Sequence, residues 1–537
     1  MPGGPVASGP GIGANAPKNK FAGILMTSFA AFGGILYGYD TGVISGIKVM
    51  CDWLETFGKH DPSRFAGACA NTSGADYGIS SSTESLVVSI LSAGTFFGAL
   101  LGAPIADYIG RKWGIVLACL VFSAGVAMQT GSTAIALFVV GRVFAGLGVG
   151  IISTLIPMYQ SECAPKWIRG AVISAYQWAI TIGLLLAAIV NNTTQHCPNH
   201  SAWRIPIAMQ FIWAAVLSLG MMFFPESPRW LIKHGRDADA AKALSRLTSL
   251  NAHNPEVETE LADIRANLKA EEQIGEHSYA NCFRSGPNKI TLCTWTGIIL
   301  QAWQQLTGIN FIFYYGTTFF QNSGISDAFL INVATNVINV GMTLSGMWGV
   351  ERFGRRRLLL IGAIGMTICE FLVAIVGVTV SVDNTAGQKV LIAFVCIYIA
   401  FFASTWGPIA WVVVGEIYPL AVRAKAMSLA TASTWLWNFG ISYATPYMVN
   451  SGPGNADLSV KVFFVWGSTC ACCILFTYFF IPEMKGLSLE QVDILYQNTT
   501  PRRSVQYRKQ LVAEDVHALD LQGEKHGAVY EHSDDKV

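Results

Sequence analysis

Charge is the scarcest thing in this chain. Of 537 residues, 13% are charged and 52% are hydrophobic, against the roughly one-quarter charged composition of soluble domains. That excludes an ordinary soluble globule. The charge that remains is concentrated between Pro225 and Asn288 and in the tail after Pro482. With a net charge of +1 there is no basic field of the kind nucleic-acid binding requires, so no nucleic acid is expected as a partner. Twelve cysteines in so long a chain make no disulfide framework. Most of them (Cys119, Cys293, Cys369, Cys396, Cys470, Cys472, Cys473) fall inside apolar segments, where cysteine packs as a small hydrophobe. There is no metal-ligand cluster, no nucleophile motif and no phosphate loop, so neither an enzyme nor a cofactor is expected. The first twenty residues have no apolar core, and Lys18 and Lys20 stand directly before the first long hydrophobic run. That run reads as an uncleaved membrane span, not a signal peptide.

What the chain does have is apolar length. A membrane span needs about 20 mainly apolar residues, because backbone polar groups in hydrocarbon must be satisfied within the helix. Twelve such runs begin near Phe21, Ser85, Trp113, Thr133, Gly170, Trp203, Ile290, Ala328, Leu358, Val390, Ala426 and Val460. An even number puts both termini on one side. Basic residues at Arg111-Lys112, Lys166/Arg169, Arg352/Arg355/Arg356/Arg357 and Arg423/Lys425 mark that side as the cytoplasm. The loop after the first span, with Lys48, Lys59 and Arg64, is an outward-facing exception long enough for its charges to count less. The outer face also carries the sequons at Asn71, Asn191, Asn192 and Asn199, so the chain is a candidate glycoprotein. Cys51, Cys69 and Cys197 share that face, either with one disulfide among them or as three free thiols.

The spans are duplicated. Asp107-x-x-Gly110-Arg111-Lys112 recurs as Glu351-x-x-Gly354-Arg355-Arg356, Glu162 and Arg169 recur at the same spacing as Glu416 and Arg423, and Pro225-Glu226 recurs as Pro482-Glu483. Their order and nearly constant offset describe two parallel six-span repeats, the arrangement of carriers whose halves rock about a midplane site. Basic residues at these places are sufficient to hold loops in the cytoplasm, but topology alone does not call for a carboxylate repeated at fixed spacing. Ion pairs between Asp107, Glu162, Glu351 or Glu416 and Arg111, Arg169, Arg355 or Arg423 would tie the cytoplasmic helix ends together and break when that side opens.

At these residues the chain resembles the sugar porter family of the major facilitator superfamily, from about Phe21 to Val492. The likeness rests on Gly38-Tyr39-Asp40-Thr41-Gly42-Val43-Ile44-Ser45-Gly46, the loop from Asp107 to Lys112, Gly141-Arg142, Pro225-Glu226-Ser227-Pro228-Arg229-Trp230-Leu231, Gln304-Gln305-Leu306-Thr307-Gly308-Ile309-Asn310, Val350 to Arg356, and Pro482-Glu483-Met484-Lys485-Gly486. Met484 stands where the family usually has Thr. The Asp40 motif and the cysteine-bearing first loop look most like fungal hexose carriers. The resemblance implies an all-α membrane protein, with twelve transmembrane helices in two pseudo-symmetric six-helix bundles (the major facilitator fold) and short cytoplasmic helices between them. The expected organisation is a disordered cytoplasmic segment 1–20, a bundle 21–224, a cytoplasmic helical linker domain 225–288, a second bundle 289–482 and a cytoplasmic tail 483–537, disordered beyond about Asn498. Within the linker, Leu244, Leu247, Leu261, Ile264 and Leu268 mark amphipathic helices that latch the inner side in the family.

A hexose displays hydroxyls that both donate and accept, so its site needs amides and indoles, with an apolar surface for the ring. The spans offer Gln177, Gln304, Gln305, Asn310, Asn339, Trp411 and Asn438, each aligned with a sugar-contacting position of the family. Intramembrane amides also bond neighbouring helices. Gln304 and Gln305, however, point about 100° apart on a helix and cannot both serve one neighbour. Phe32, Phe311 and Tyr315 are candidate apolar walls, and Thr434 stands where some relatives have Asn.

None of the nine histidines falls in a span, which leaves carboxylates to carry a proton. Asp40 and Arg142 lie at similar depth in the first and fourth spans. As a pair they would be broken by protonation of Asp40, coupling the proton to opening. A permanent structural ion pair is the plainer alternative. Proton-coupled members of the family share the Asp, whereas many uniporters have Asn. Glu226 and Arg229 join the expected cytoplasmic gate. Glu370, inside span nine, matches no motif. The expected function is alternating-access transport of a monosaccharide, glucose first, as a sugar:proton symporter in the plasma membrane, with the lipid bilayer as surroundings and a monomer as the working unit. The alternatives are a facilitative uniporter and a transport-dead sugar sensor.

Overall fold

Backbone groups in hydrocarbon have only each other as partners, so each long apolar run closes on itself as a helix. In the computed structural model, residues 21–513 are described apart from 63–68, 70–75, 165–168, 198, 274–278, 285–288, 323–326, 381–383, 419–421, 451, 453 and 488. Span one is Phe21–Ala30 followed by Gly33–Ile47, span two Ser81–Ile109, span three Arg111–Thr130 and span four Ile135–Cys163. Span five is Arg169–Thr194, and span six Ser201–Ala208 with Gln210–Phe223. In the second half, span seven is Ile290–Leu306 with Ile309–Asn322, span eight Ala328–Phe353 and span nine Arg355–Thr379. Span ten is Thr385–Ser404 with Trp406–Glu416, span eleven Arg423–Val449 and span twelve Val462–Phe480.

Among the described residues, nine of these helices are long and apolar enough to cross a bilayer alone. Two of the remaining three, spans one and seven, are interrupted, so neither piece has full length. The third, span eleven, is long but carries buried Ser428, Thr431, Ser433, Thr434, Asn438, Ser442 and Thr445. Large apolar side chains such as Leu120, Leu219, Ile361, Ile368 and Leu475 cover the outside of the bundle, the surface a bilayer requires.

The two halves meet along spans two and eleven and along five and eight, with further contact between one and seven and between five and ten. The short helices between the two halves, Pro228–Lys233, Asp237–Thr248 and Pro255–Gln273, share a small core of Trp230, Leu231, Ala243, Leu244, Val257 and Leu261. Leu247 turns the other way and joins the main core beneath span one.

At the opposite end of the bundle a short helix Cys51–Phe57 and a two-stranded ladder, Lys59–His60 against Tyr77–Gly78, cap the first half. Cys51 is disulfide-bonded to Cys69, and Cys197 is free, which settles the question the sequence left open. Of the sequons, Asn71 and the segment 1–20 lie outside the described residues. Asn191 is buried and donates to the carbonyls of Gly42 and Val43 at 3.3 and 3.2 Å, so it is no glycan acceptor, whereas Asn199 is exposed.

The expectation of disorder beyond about Asn498 fails for residues 501–513, which are helical and docked. The buried Ser504 hydroxyl accepts from the Glu483 N–H at 3.0 Å and donates to the Pro501 carbonyl at 2.6 Å. Arg356 donates to Pro501 at 3.0 Å, and the Arg502 guanidinium lies 4.1 Å from the Phe479 ring centre. Composition marked the segment as polar; what holds it is pairing between its polar groups and the basic end of span nine.

Candidate functional site

The break in span seven sets the geometry of the amide cluster at the centre of the bundle. Thr307 ends the first piece, and Gly308 adopts φ +82°, a left-handed conformation natural to glycine, at a place where a Cβ would collide with Trp466. The chain therefore leaves the helix after Leu306, just past Gln304-Gln305, and re-enters it at Ile309, just before Asn310. That brings three amides into one cluster. Gln305 Oε1 accepts from Asn310 and, at 3.3 Å, from Asn438 of span eleven. Asn438 Oδ1 in turn accepts from Ser92 of span two at 2.6 Å and from Tyr314 at 3.2 Å. Ser92 belongs to the first half, so the cluster sits on the seam between the halves.

Gln304 has a different task. Its amide donates to the carbonyls of Trp406 and Gly407 at 3.0 Å each, in the first turn of the second piece of span ten. Gln177 approaches the same place from span five, its Nε2 within 3.8 Å of where a Cβ on Gly407 would stand. Trp411, one turn beyond Gly407, is buried. Asn339 is buried in span eight, with Nδ2 unpartnered among the described residues.

Among the apolar candidates, Phe32 stacks on Phe29 and lies against Trp213 within the first half. Phe311 is fully buried against Phe319 and Phe463, so it belongs to the packing of spans seven and twelve and not to a sugar wall. Thr434 donates to Gln301 at 3.0 Å and ties span eleven to span seven. Tyr315 donates to the Ser442 carbonyl at 2.7 Å.

Above the amides the halves are closed at the end of the bundle that carries the Cys51–Cys69 cap. Ser45 bonds Thr317 at 3.2 Å, and Ser85 donates to the Tyr443 carbonyl at 2.8 Å. Lys48, buried at the end of span one, pairs with Glu84 at 2.6 Å and lies 3.7 Å from the centre of the Tyr315 ring. Glu84 also accepts from Asn450 of span eleven at 3.0 Å. Sequence reading missed this cluster. An acid at the first turn of a span, opposite a lysine just past another, was the available signal.

Asp40 and Arg142 are fully buried and meet through a single contact of 3.4 Å. Arg142 also donates to the Val87 carbonyl at 3.3 Å, while Asp40 Oδ2 has no partner among the described residues.

At the other end, beside the linker helices, the duplication is visible atom by atom. Gly110 and Gly354 hold φ of +93° and +89° between consecutive spans. Arg111 pairs with Glu162 at 2.8 Å, and Arg355 with Glu416 at 2.8 and 3.1 Å. Glu226 accepts the N–H groups of Arg111 and Lys112 at 3.0 Å, and Glu483 those of Arg355 and Arg356 at 3.0 and 3.2 Å. Burial pushes the Glu226 carboxyl above the usual carboxylate range, against the opposing pull of the Ser227, Lys112 and Arg111 N–H groups. Asp107 lies 3.7 Å from Arg111 and 3.5 Å from Lys233. Arg423 donates to the Tyr418 carbonyl at 3.0 Å, and Arg229 lies in the short helix after span six. The side chains of Arg169 and Glu351 fall outside the described ones.

Residues 26–496 match the family model described as "Sugar (and other) transporter". The chain is 49% identical over 502 residues to the major facilitator-type transporter ecdD of Aspergillus rugulosus, covering 91% of this chain and 90% of that one. It is 46% identical to the probable glucose transporter rco-3 of Neurospora crassa, covering 90% and 80%. A solved structure of the proton:xylose symporter XylE bound to 6-bromo-6-deoxy-D-glucose superimposes with a TM-score of 0.72 at 29% identity, over 89% of this chain and 99% of that one.

Proposed function

The chain belongs to the sugar (and other) transporter family, and from that premise we propose that it carries a hexose, glucose first, across the plasma membrane as a proton symporter with both termini in the cytoplasm. The observation that carries the reading is the amide cluster of Gln305, Asn310 and Asn438 on the seam between the halves. Without sugar these groups satisfy one another, so none is left buried and unpaired. A hexose hydroxyl donates and accepts, and can replace each of those bonds in kind. Gln304, held by the span-ten carbonyls, keeps the neighbouring turn in place, and Gln177, Asn339 and Trp411 complete the ring of contacts. The glucose transporter named among the relatives supports the choice of sugar.

Sugar between the halves favours closure of both around it. The outer side then opens by parting the Lys48, Glu84 and Asn450 cluster, while at the inner side the Arg111–Glu162 and Arg355–Glu416 clusters each brace the helix ends of their own half. The linker 225–288 acts as the inner latch.

Proton coupling rests on Asp40. Its one-point contact with Arg142 leaves an oxygen free to take a proton, and protonation removes the charge that Arg142 answers. Release of Arg142 changes the contact of spans one and four, and so the balance between open states. The XylE symporter fold supports coupling over uniport.

Expression in a cell that lacks its own hexose carriers tests the reading. Restored uptake of labelled glucose, with acidification of the cytoplasm, is the expected result. No uptake despite surface expression overturns it and leaves a sensor; uptake indifferent to an uncoupler leaves a uniporter.

A further inference from the structure

Glu370 has no task in the reading so far. It lies in span nine, 1% exposed, with neither carboxyl oxygen hydrogen-bonded among the described residues. As the side chains stand, an ionised carboxylate there has no countercharge and no donor turned towards it, although the Tyr398 hydroxyl and the Cys470 thiol are near enough to donate. The groups that face it are the Tyr398 phenol of span ten, the thiols of Cys470 and Cys473 of span twelve, and Cys369 of its own helix. Charged groups of span nine itself and of the other elements packed against it sit at its ends. Arg352, Arg355, Arg356 and Glu416 are at the inner end, and Lys461 follows Val460, which packs on Gly377 at the outer end.

Tyr398 is already committed. Its hydroxyl donates to the Thr307 carbonyl at 2.7 Å, and Cys470 Sγ reaches the same oxygen at 3.8 Å. Beside them Thr469 donates to Leu306 at 2.6 Å, and Cys473 Sγ approaches the Trp303 carbonyl at 3.9 Å. Donors from spans ten and twelve thus hold the last turn of span seven before its break. That turn carries Gln304 and Gln305. A short line therefore runs from Glu370 through Tyr398 and Thr307 to the amides that meet the sugar.

A carboxylate accepts a phenol hydrogen bond more strongly than a peptide carbonyl does. With a proton on Glu370, Tyr398 stays on Thr307. When Glu370 loses that proton to water, the carboxylate draws the Tyr398 hydroxyl to itself and the Thr307 carbonyl is released; Tyr398 keeps its own proton throughout. We propose that Glu370 is a second proton-exchanging carboxyl, in the half opposite Asp40, and a positioning residue that sets the sugar-binding amides by deciding whether Tyr398 holds the span-seven break. The inference rests on sugar transport as the activity.

The test is glucose equilibrium exchange by the purified full chain in liposomes, with the same pH on both sides, compared among wild type, Glu370→Gln and Tyr398→Phe. Asp40 contributes its own pH dependence to all three, so the difference between profiles is the readout. In wild type, KM rises an additional roughly tenfold from the acid to the alkaline end of the pH series, the shift commanded by one charge-assisted hydrogen bond. Glu370→Gln keeps the acid-side KM throughout, and Tyr398→Phe shows the weak KM at every pH. Identical pH profiles for all three overturn the proposal. If Glu370→Gln does not fold, a Tyr398→Phe profile that parallels the wild type does the same. Exchange absent from the wild type defeats the transport reading instead. Infrared pH-difference spectra of the purified protein then still decide about Glu370: a protonated-carboxyl band that Glu370→Gln lacks supports the proposal, and an unchanged band defeats it.

Discussion

Asn438 and Gln305 carry the heaviest load in the cavity, because each bonds more than one partner and together they join span eleven, span seven and, through Ser92, the first half. Replacing Gln305 or Asn438 by Ala removes bonds to sugar and strands the remaining amides, so KM for glucose should rise roughly tenfold or more. Phe311→Leu should leave KM within about twofold, since its ring packs on Phe463 away from the amides, while costing about 1 kcal/mol in thermal stability through lost core packing. Uptake kinetics against sugar concentration separate the two outcomes. The amides were legible in the sequence because polar side chains stand out within apolar spans. Their partners Ser92 and Tyr314 were not, since serine and tyrosine are common on any helix. Phe311 was misplaced because the break at Gly308 resets the helical phase, and with it the face on which each following residue lies.

The interrupted helices and the outer cluster show what hydropathy does not report. Lys48 and Glu84 are buried together at the ends of spans one and two, and Asn450 extends the bond to span eleven. Removing one partner of a buried pair leaves the other charge uncompensated, at a cost of about 3–5 kcal/mol. Lys48→Met or Glu84→Gln should therefore favour the outward-open arrangement, which hydrates the remaining charge. A cysteine placed at Thr317, where the outer halves meet, should react with an impermeant thiol reagent roughly tenfold faster in either variant. The Lys48→Met/Glu84→Gln double variant should return towards the wild-type rate; equal reactivity in all four proteins contradicts an outer latch. The Cys51–Cys69 disulfide, closing 18 residues of sequence, reinforces the cap above this cluster. Replacing both cysteines by Ser should cost about 2–3 kcal/mol of stability, read as a lower Tm with glucose affinity kept. Spacing could not choose among Cys51, Cys69 and Cys197, because pairing depends on how the loop folds back.

Across the molecule the two halves share a scaffold and divide the work. Gly110 and Gly354, Arg111–Glu162 and Arg355–Glu416, and Glu226 and Glu483 are the same device built twice. Arg111→Ala and Arg355→Ala should each lower stability by about 2–3 kcal/mol, with the larger loss at Arg111, whose partner is the more buried. Thermal unfolding in detergent checks both. This repetition was legible because the glycines and charges that turn a helix at the membrane surface leave few substitutes. The docking of residues 501–513 was not, because it depends on polar groups that look alike whether solvated or paired. The halves differ where the chemistry is: the amides come mainly from the second, and the Asp40–Arg142 pair from the first. Coupling between them is the central claim. Labelled glucose uptake into liposomes holding the purified protein, with acid outside, measures it directly. Wild type should concentrate glucose above equilibrium, and Asp40→Asn should only equilibrate it while still exchanging sugar. Concentration by Asp40→Asn equal to the wild type would contradict the account.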